Sequence, residues 1–265
     1  MSESPYLLDN RRDEAADRFS ALAALYDPMT AGHFDTIGVA AGWRCLEIGA
    51  GGGSVVRHLA GRVGPAGRVL ATDIEPRFLD PLADLANVDV ARHDIVADPL
   101  PESEFDLIHA RLVLIHLPER LAVLRRLAAA LRPGGWLLVE DVDGAAGYEA
   151  FFDPVDDGEH LANRLHAGLM QFFAASGIDF SFGRSVRRLL RANGLVDVAG
   201  DGYVPFSPAT RLLDRANYLQ LGEELVAGGF VSGEDLERYL PLLDDPGFVP
   251  GGIPMLSAWG RRPPG

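Results

Sequence analysis

Through the first 145 residues, short apolar runs alternate with longer segments of helical periodicity. Runs at 44–48 (RCLEI), 68–73 (RVLATD), 88–93 (VDVARH), 105–110 (FDLIHA) and 136–141 (WLLVED) are rich in Val, Ile and Leu and bounded by Gly, Pro or Asp. That rhythm predicts buried parallel strands with crossover helices. Residues 54–62, 77–85 and 119–131 read as the helices, the last stopped by Pro133 and Gly134. Upstream, 11–25 and 32–39 predict two helices separated by the turn YDPMT, Tyr26 to Thr30.

After the fifth run the pattern changes. Residues 148–175 predict a helical insertion rich in aromatics, 185–192 a helix, 195–206 a strand, 210–243 a second helical insertion and 254–261 a final strand. The expected fold is α/β: a doubly wound, mostly parallel seven-stranded sheet with an antiparallel last strand, N-terminal helices and helical lid insertions. The economical organisation is a single domain over 1–265, with a helical cap at 1–42, a core at 43–147 and insertions at 148–182 and 207–250.

Charge narrows the choice of partners. The chain carries 38 acidic against 24 basic residues, a net −14, and such a field repels a phosphate backbone, so no nucleic-acid partner is expected. Arg184, Arg187, Arg188 and Arg191 recur at helical spacing and read as a solvated helix face. No apolar stretch is long enough to span a membrane. The polar, acidic start reads as neither signal nor transit peptide, and with Cys45 as the one cysteine the expectation is a cytoplasmic protein without disulfides. A monomer or homodimer is equally compatible.

The strongest chemical signal is CLEIGAGGGSV, Cys45 to Val55, where a strand runs into Gly49-Ala50-Gly51-Gly52-Gly53 and Ser54 opens a helix. Glycines serve a tight turn and a close backbone approach to a ligand, and the helix N-terminus offers unpaired N–H groups. A dinucleotide fingerprint wants glycine where Ser54 stands. Glu47, two residues ahead of the first glycine, would repel a pyrophosphate but favour a cationic ammonium or sulfonium. Asp73, closing the second run, can accept two ribose hydroxyls. Asp94 is placed to accept from an adenine amine, with Ile74 and Ile95 on the ring faces; an ordinary turn cap is the plainer reading of Asp94.

The segment from Trp43 to Asp143 resembles the core of the class I S-adenosylmethionine-dependent methyltransferases, through LEIGAGGG, ATDIEPRFLD, RHDIVADPLP, FDLIHARLVLIHLPE and LRPGGWLLVED. It is particularly similar to the small-molecule branch around the quinone and natural-product enzymes, whose Y-D-x-M-N turn YDPMT resembles with Thr30 in place of Asn. The resemblance implies a Rossmann-like methyltransferase sheet, S-adenosylmethionine as cofactor and S-adenosylhomocysteine as product. It places Gly49, Ala50, Gly51 and Gly53 along the methionyl part, Glu47 at the loop or the ammonium, Asp73 on the ribose, and His93, Asp94 and Ile95 by the adenine. His109, Ala110 and Arg111 would pass near the methyl, and Tyr26, Met29 and His33 would cover the cofactor. No N-P-P-Y motif is present, so DNA bases and glutamine amides are not expected acceptors.

Methyl transfer needs alignment more than proton chemistry, and a base only where the acceptor loses a proton. Tyr26, His109 and Arg111 are the candidates for acceptor chemistry, each with an alternative as a packing or hydrogen-bonding residue. Asp141 and Tyr148 also lie at or just beyond a strand's carboxyl end. His160 and His166 stand about two helical turns apart and could share a face, while His116, His58 and His93 read as structural. No metal pattern is present. Phe151, Phe152, Phe172, Phe173, Phe180 and Phe182 suit a small hydrophobic or aromatic acceptor, or are simply core. Two rivals stand beside methyl transfer: a non-methylating cyclase or scaffold that binds the same cofactor, and a nicotinamide-dependent oxidoreductase, which Ser54 and Glu47 disfavour.

Overall fold

The computed structural model describes residues 14–144 and 148–265. Its seven strands are β1 (Arg44–Ile48), β2 (Arg68–Asp73), β3 (Val88–Arg92), β4 (Phe105–Arg111), β5 (Leu131–Val142), β6 (Val196–Tyr203) and β7 (Met255–Arg261), in one sheet of order β3-β2-β1-β4-β5-β7-β6. β1 through β5 pair in parallel and β7 runs antiparallel to β5, as the hydrophobic pattern predicts. Burial explains the composition. Central β4 is covered on both faces and nearly every residue is apolar or hydrogen-bonded, whereas edge strands β3 and β6 are half exposed.

The helices are α1 (Glu14–Ile37), α2 (Ser54–Val63), α3 (Arg120–Ala130), α4 (Asp157–Ala175), α5 (Gly183–Ala192), α6 (Ala209–Ala227) and α7 (Gly233–Leu242). The chain divides into two compact units. One is Asp27–Val142, Phe182–Gly202 and Met255–Gly265, holding the sheet. The other comprises Asp143–Ser181, Tyr203–Pro254 and the described part of Met1–Tyr26, holding α4, α6 and α7.

Three elements differ from expectation. The two N-terminal helices are one, α1, which runs through YDPMT with Pro28 inside. Proline removes one backbone donor there. The cost is offset by anchoring of the surrounding residues: Asp27, Thr30 and His33 all bond to residues of the sheet unit. The part of the expected first helix at 11–13 lies outside the described residues. Next, residues 77–85 form a 3₁₀ helix over Pro76–Leu82, since Pro81 interrupts any longer α pattern. Finally, β5 starts at Leu131, before the RPGG that was expected to precede it. Phe105 pairs with Leu131 and Leu107 with Trp136, so the PGG segment is a bulge. A side chain on Gly135 would lie 2.6 Å from the Phe105 carbonyl oxygen.

In the sheet unit, α2 packs Val56, Leu59 and Val63 against Val69 and Leu107, with Phe34 and Ile37 of α1 in the same cluster. On α5, Val186 and Leu190 are buried while Arg184, Arg187, Arg188 and Arg191 face outward. Leu107 is fully buried at the sheet centre, so Leu107→Ala should cost about 2–5 kcal/mol of unfolding free energy in urea. Val90→Ala on the exposed edge should cost under about 1 kcal/mol. Equal costs would contradict this assignment of the core.

Candidate active site

The glycine loop follows β1 and ends where α2 begins. Gly49, Gly51 and Gly53 have φ of +63°, +51° and +76°, which L side chains rarely adopt. Added side chains would also collide, at 2.4 Å from Val113 for Gly49 and 2.8 Å from Leu82 for Gly53. The loop is tied to the end of β2. Ala50 N donates to the Thr72 carbonyl at 3.0 Å, and Gly51 N donates to Asp73 Oδ2 at 2.9 Å. Ser54 Oγ, at the position a dinucleotide loop gives to glycine, donates to Asp27 Oδ1 at 3.1 Å.

Asp73 also accepts from Glu75 N at 2.9 Å through Oδ1. Burial raises its carboxyl above the ordinary range, and the backbone N–H groups of Glu75 and Gly51 oppose that rise. The Ile74 N–H opposes it too, and a carboxylate's roughly four acceptor sites are not filled by these three donors. Ile74 beside it is 45% exposed, while Ile95 is buried. Asp94 Oδ1 accepts from Val96 N at 2.8 Å and Ala97 N at 3.3 Å, the turn-capping role. His93 Nε2 faces the Pro99 carbonyl at 3.3 Å.

Beneath the loop lies a chain of buried charges. His109 of β4 is fully buried, with Nδ1 2.7 Å from Glu47 Oε2 and Nε2 3.2 Å from Glu140 Oε2. His33 of α1 continues it, with Nδ1 2.6 Å from Glu140 Oε1 and Nε2 2.9 Å from Asp201 Oδ1 of β6. Glu140 further accepts from Thr30 Oγ1 at 2.5 Å and Ser257 Oγ at 3.3 Å. Arg111 donates to Thr30 Oγ1 at 3.0 Å and Asp27 Oδ1 at 2.8 Å. Thr30, the departure from Y-D-x-M-N, is therefore a junction in this network. Met29 Sδ lies 3.7 Å from the Ser257 hydroxyl, and Ala110 is buried in the strand between His109 and Arg111.

Electrostatics follow from the alternation of sign. For His109, burial disfavours the charge, but Glu47 and Glu140 outweigh it and push the pKa up to about 9. Glu140 is likewise opposed by burial, yet the hydrogen bonds from His109 and His33 hold it far below the carboxylate range. His33 is raised by Glu140 and Asp201 against its own burial. Glu47, at the end of the chain with one imidazolium partner, is raised by burial. Asp141, pointing to the other face of β5, is completely buried and raised well above the ordinary carboxylate range by that burial.

The sequence-predicted residues thus separate by role. The loop glycines, Ala50, Asp73 and Ile74 gather at the carboxyl ends of β1 and β2. Glu47, His33, His109 and Arg111 are spent on one another and on Glu140, Asp201, Thr30 and Asp27. Sequence reasoning missed Glu140 and Asp201; only an acidic residue inside an otherwise apolar strand pattern (LLVED) hinted at the first. Tyr26 belongs to the helical unit, where its hydroxyl donates to the Ile253 carbonyl at 2.8 Å. In that unit Phe173 stacks on Phe180 at 5.2 Å and Phe152 is 60% exposed. Tyr148 donates to the Gly251 carbonyl and His160 is exposed while His166 is buried. The last point corrects the shared face: six residues make roughly 1.7 turns, which puts them about 120° apart. Phe182 lies in the sheet unit under the Arg120 guanidinium, 5.2 Å away, not among the insertion aromatics.

Residues 7–199 match the family described as Methyltransferase domain. The chain belongs to that family. It is 35% identical over 153 residues to methyltransferase str2 of Strobilurus tenacellus, covering 57% of this chain and 52% of that protein. The ubiquinone/menaquinone biosynthesis C-methyltransferase UbiE of Pseudomonas syringae pv. tomato is 31% identical over 148 residues, covering 49% and 58%. The chain thus spans about half the length of the curated relatives it matches. Phosphoethanolamine N-methyltransferase 2 of Haemonchus contortus, solved with S-adenosyl-L-methionine, aligns with TM-score 0.60 at 16% identity over 100% of this chain and 61% of that one, a likeness of fold. Among the described residues no helix is long and apolar enough to cross a membrane.

The imidazolium of His109 carries a testable signature. Its folded pKa of about 9 exceeds the ordinary 6.5. Its contribution to stability is therefore full below pH 6.5 and lost as pH rises through about 9. Unfolding free energy should fall over that window. His109→Gln, which takes from Glu47 its imidazolium partner and from Glu140 one of two, should cost about 3–5 kcal/mol at neutral pH and flatten the slope. An unchanged slope would remove His109 as its source.

Proposed function

We propose that this chain transfers a methyl group from S-adenosylmethionine to a small, hydrophobic or aromatic acceptor. One observation carries the reading: the Asp73 carboxylate is bonded to the left-handed glycine loop and retains acceptor capacity beside an exposed Ile74. A ribose diol fits that capacity, an adenine ring fits Ile74 and Ile95, and the close-approach glycines fit a methionyl chain. S-adenosylmethionine, when bound, supplies an electrophilic methyl on a sulfonium, for in-line displacement by the acceptor. This chain's residues bind and align. Asp73 orients the ribose, Asp94 and its turn border the adenine, and Arg111, fixed by Asp27 and Thr30, sets the floor near the methionyl group.

Glu47 then acts by tying β1 to β4 through His109, rather than as a free carboxylate for the ammonium. The quinone C-methylation named for the UbiE relatives and the small-molecule resemblance of the cofactor segment support a ring-bearing acceptor. His109, enclosed by two carboxylates and already protonated, is a positioning residue.

Calorimetry on the purified chain should detect S-adenosylmethionine and S-adenosylhomocysteine but not NAD. Asp73→Ala should weaken both adenosyl ligands roughly 100-fold, as expected for two hydrogen bonds to a charged group. Tight NAD binding, or no adenosyl binding by the wild type, would overturn the reading.

A further inference from the structure

In the sequence Glu47 reads as the carboxylate that repels a phosphate chain at the glycine loop, yet it lies buried against His109. Another carboxylate stands at the end of that loop. Asp27 of α1 accepts from the Ser54 hydroxyl at 3.1 Å through Oδ1, and Ser54 is the first residue of α2. The same oxygen accepts from one terminal nitrogen of Arg111 at 2.8 Å, while the other terminal nitrogen donates to Thr30 Oγ1 at 3.0 Å. All four residues belong to the sheet unit.

A helix N-terminus favours an anion, and in dinucleotide-binding enzymes the pyrophosphate occupies that place. Here Gly53 stands at the N-cap of α2 and brings no side chain to it. Asp27 supplies the negative charge instead, one hydroxyl away. The guanidinium that could compensate a phosphate is withdrawn, its side chain 10% exposed against 31% for that of Asp27. The charge shown to a ligand at this end of α2 is therefore the negative one. A carboxylate and a phosphate oxygen both offer only lone pairs, so neither can donate to the other and their charges repel.

We propose that Asp27 sets the cofactor class by excluding adenosyl ligands whose ribose carries a phosphate chain in place of the sulfur. The proposal rests on the methyltransferase reading for the direction of the ligand, from Asp73 across the glycine loop toward Ser54. Asp27 is a specificity residue and takes no part in methyl transfer. Arg111, itself held by Thr30, positions the carboxylate.

The test is calorimetry of the full chain with adenosine and ADP, read as the ratio of their dissociation constants, which cancels a general loss of binding. In the wild type ADP should bind roughly tenfold more weakly than adenosine, as a like charge nearby demands. Asp27→Asn, which keeps the shape without the charge, should bring the ratio to about one, and Asp27→Glu, which keeps the charge, should leave it near roughly tenfold. Asp27→Ser, also uncharged, serves where Asp27→Asn does not fold. A wild type that binds ADP as tightly as adenosine overturns the proposal. So does a ratio that the uncharged variant leaves unchanged, or one that Asp27→Glu lowers as far. Adenosine that does not bind the wild type at all overturns both this proposal and the cofactor reading. S-adenosylhomocysteine, measured in parallel, separates the two. Its binding with an unchanged ratio sinks the role of Asp27 alone, whereas a ratio that falls in the uncharged variant without S-adenosylhomocysteine binding upholds Asp27 and sinks methyl transfer.

Discussion

The sheet unit depends on keeping several charges dry without leaving any of them alone. An isolated buried carboxylate or imidazolium costs several kcal/mol, and only close opposite charges with hydrogen bonds offset that. The run Glu47, His109, Glu140, His33, Asp201 meets the condition by alternating sign at contacts of 2.6 to 3.2 Å. It crosses β1, β4, β5, α1 and β6, so segments as much as 168 positions apart are fixed in one register. Thr30, Ser257 and Arg111 take up remaining capacity at Glu140 and its neighbours. Because the glycine loop leaves β1 two residues after Glu47, this chain sets where the loop starts.

Much of that architecture was legible in the residues. Parallel strands announce themselves as short Val- and Leu-rich runs, and the glycine spacing marked the left-handed loop that closes onto Asp73. What stayed hidden was the result of distant contacts. Pro28 reads locally as a helix stop, and only Asp27, Thr30 and His33, held by residues remote in sequence, carry α1 through it. Glu140 reads as a strand-end acid, yet its role comes from histidines 31 and 107 positions away. The bulge at RPGG depends on a neighbouring carbonyl that no local pattern contains.

His109 shows why residue type and position do not settle role. A histidine at the carboxyl end of a central strand stands where ligands bind in open α/β sheets. Here both ring nitrogens face carboxylates, so it has no lone pair to offer an acceptor. The helical unit presents a different case: Nε2 of His166 is bonded to Asp214 while Nδ1 has no partner among the described residues, on a helix whose sequence reads as aromatic packing. Family membership rests on residues 7–199, which include the glycine loop and α4.

The most direct test of the buried charge chain is ¹⁵N NMR of histidine-labelled protein, with His109 assigned through His109→Gln. The account predicts that both His109 ring nitrogens carry hydrogen at neutral pH and titrate together near pH 9. A neutral His109 with one bare nitrogen at pH 7 would contradict it.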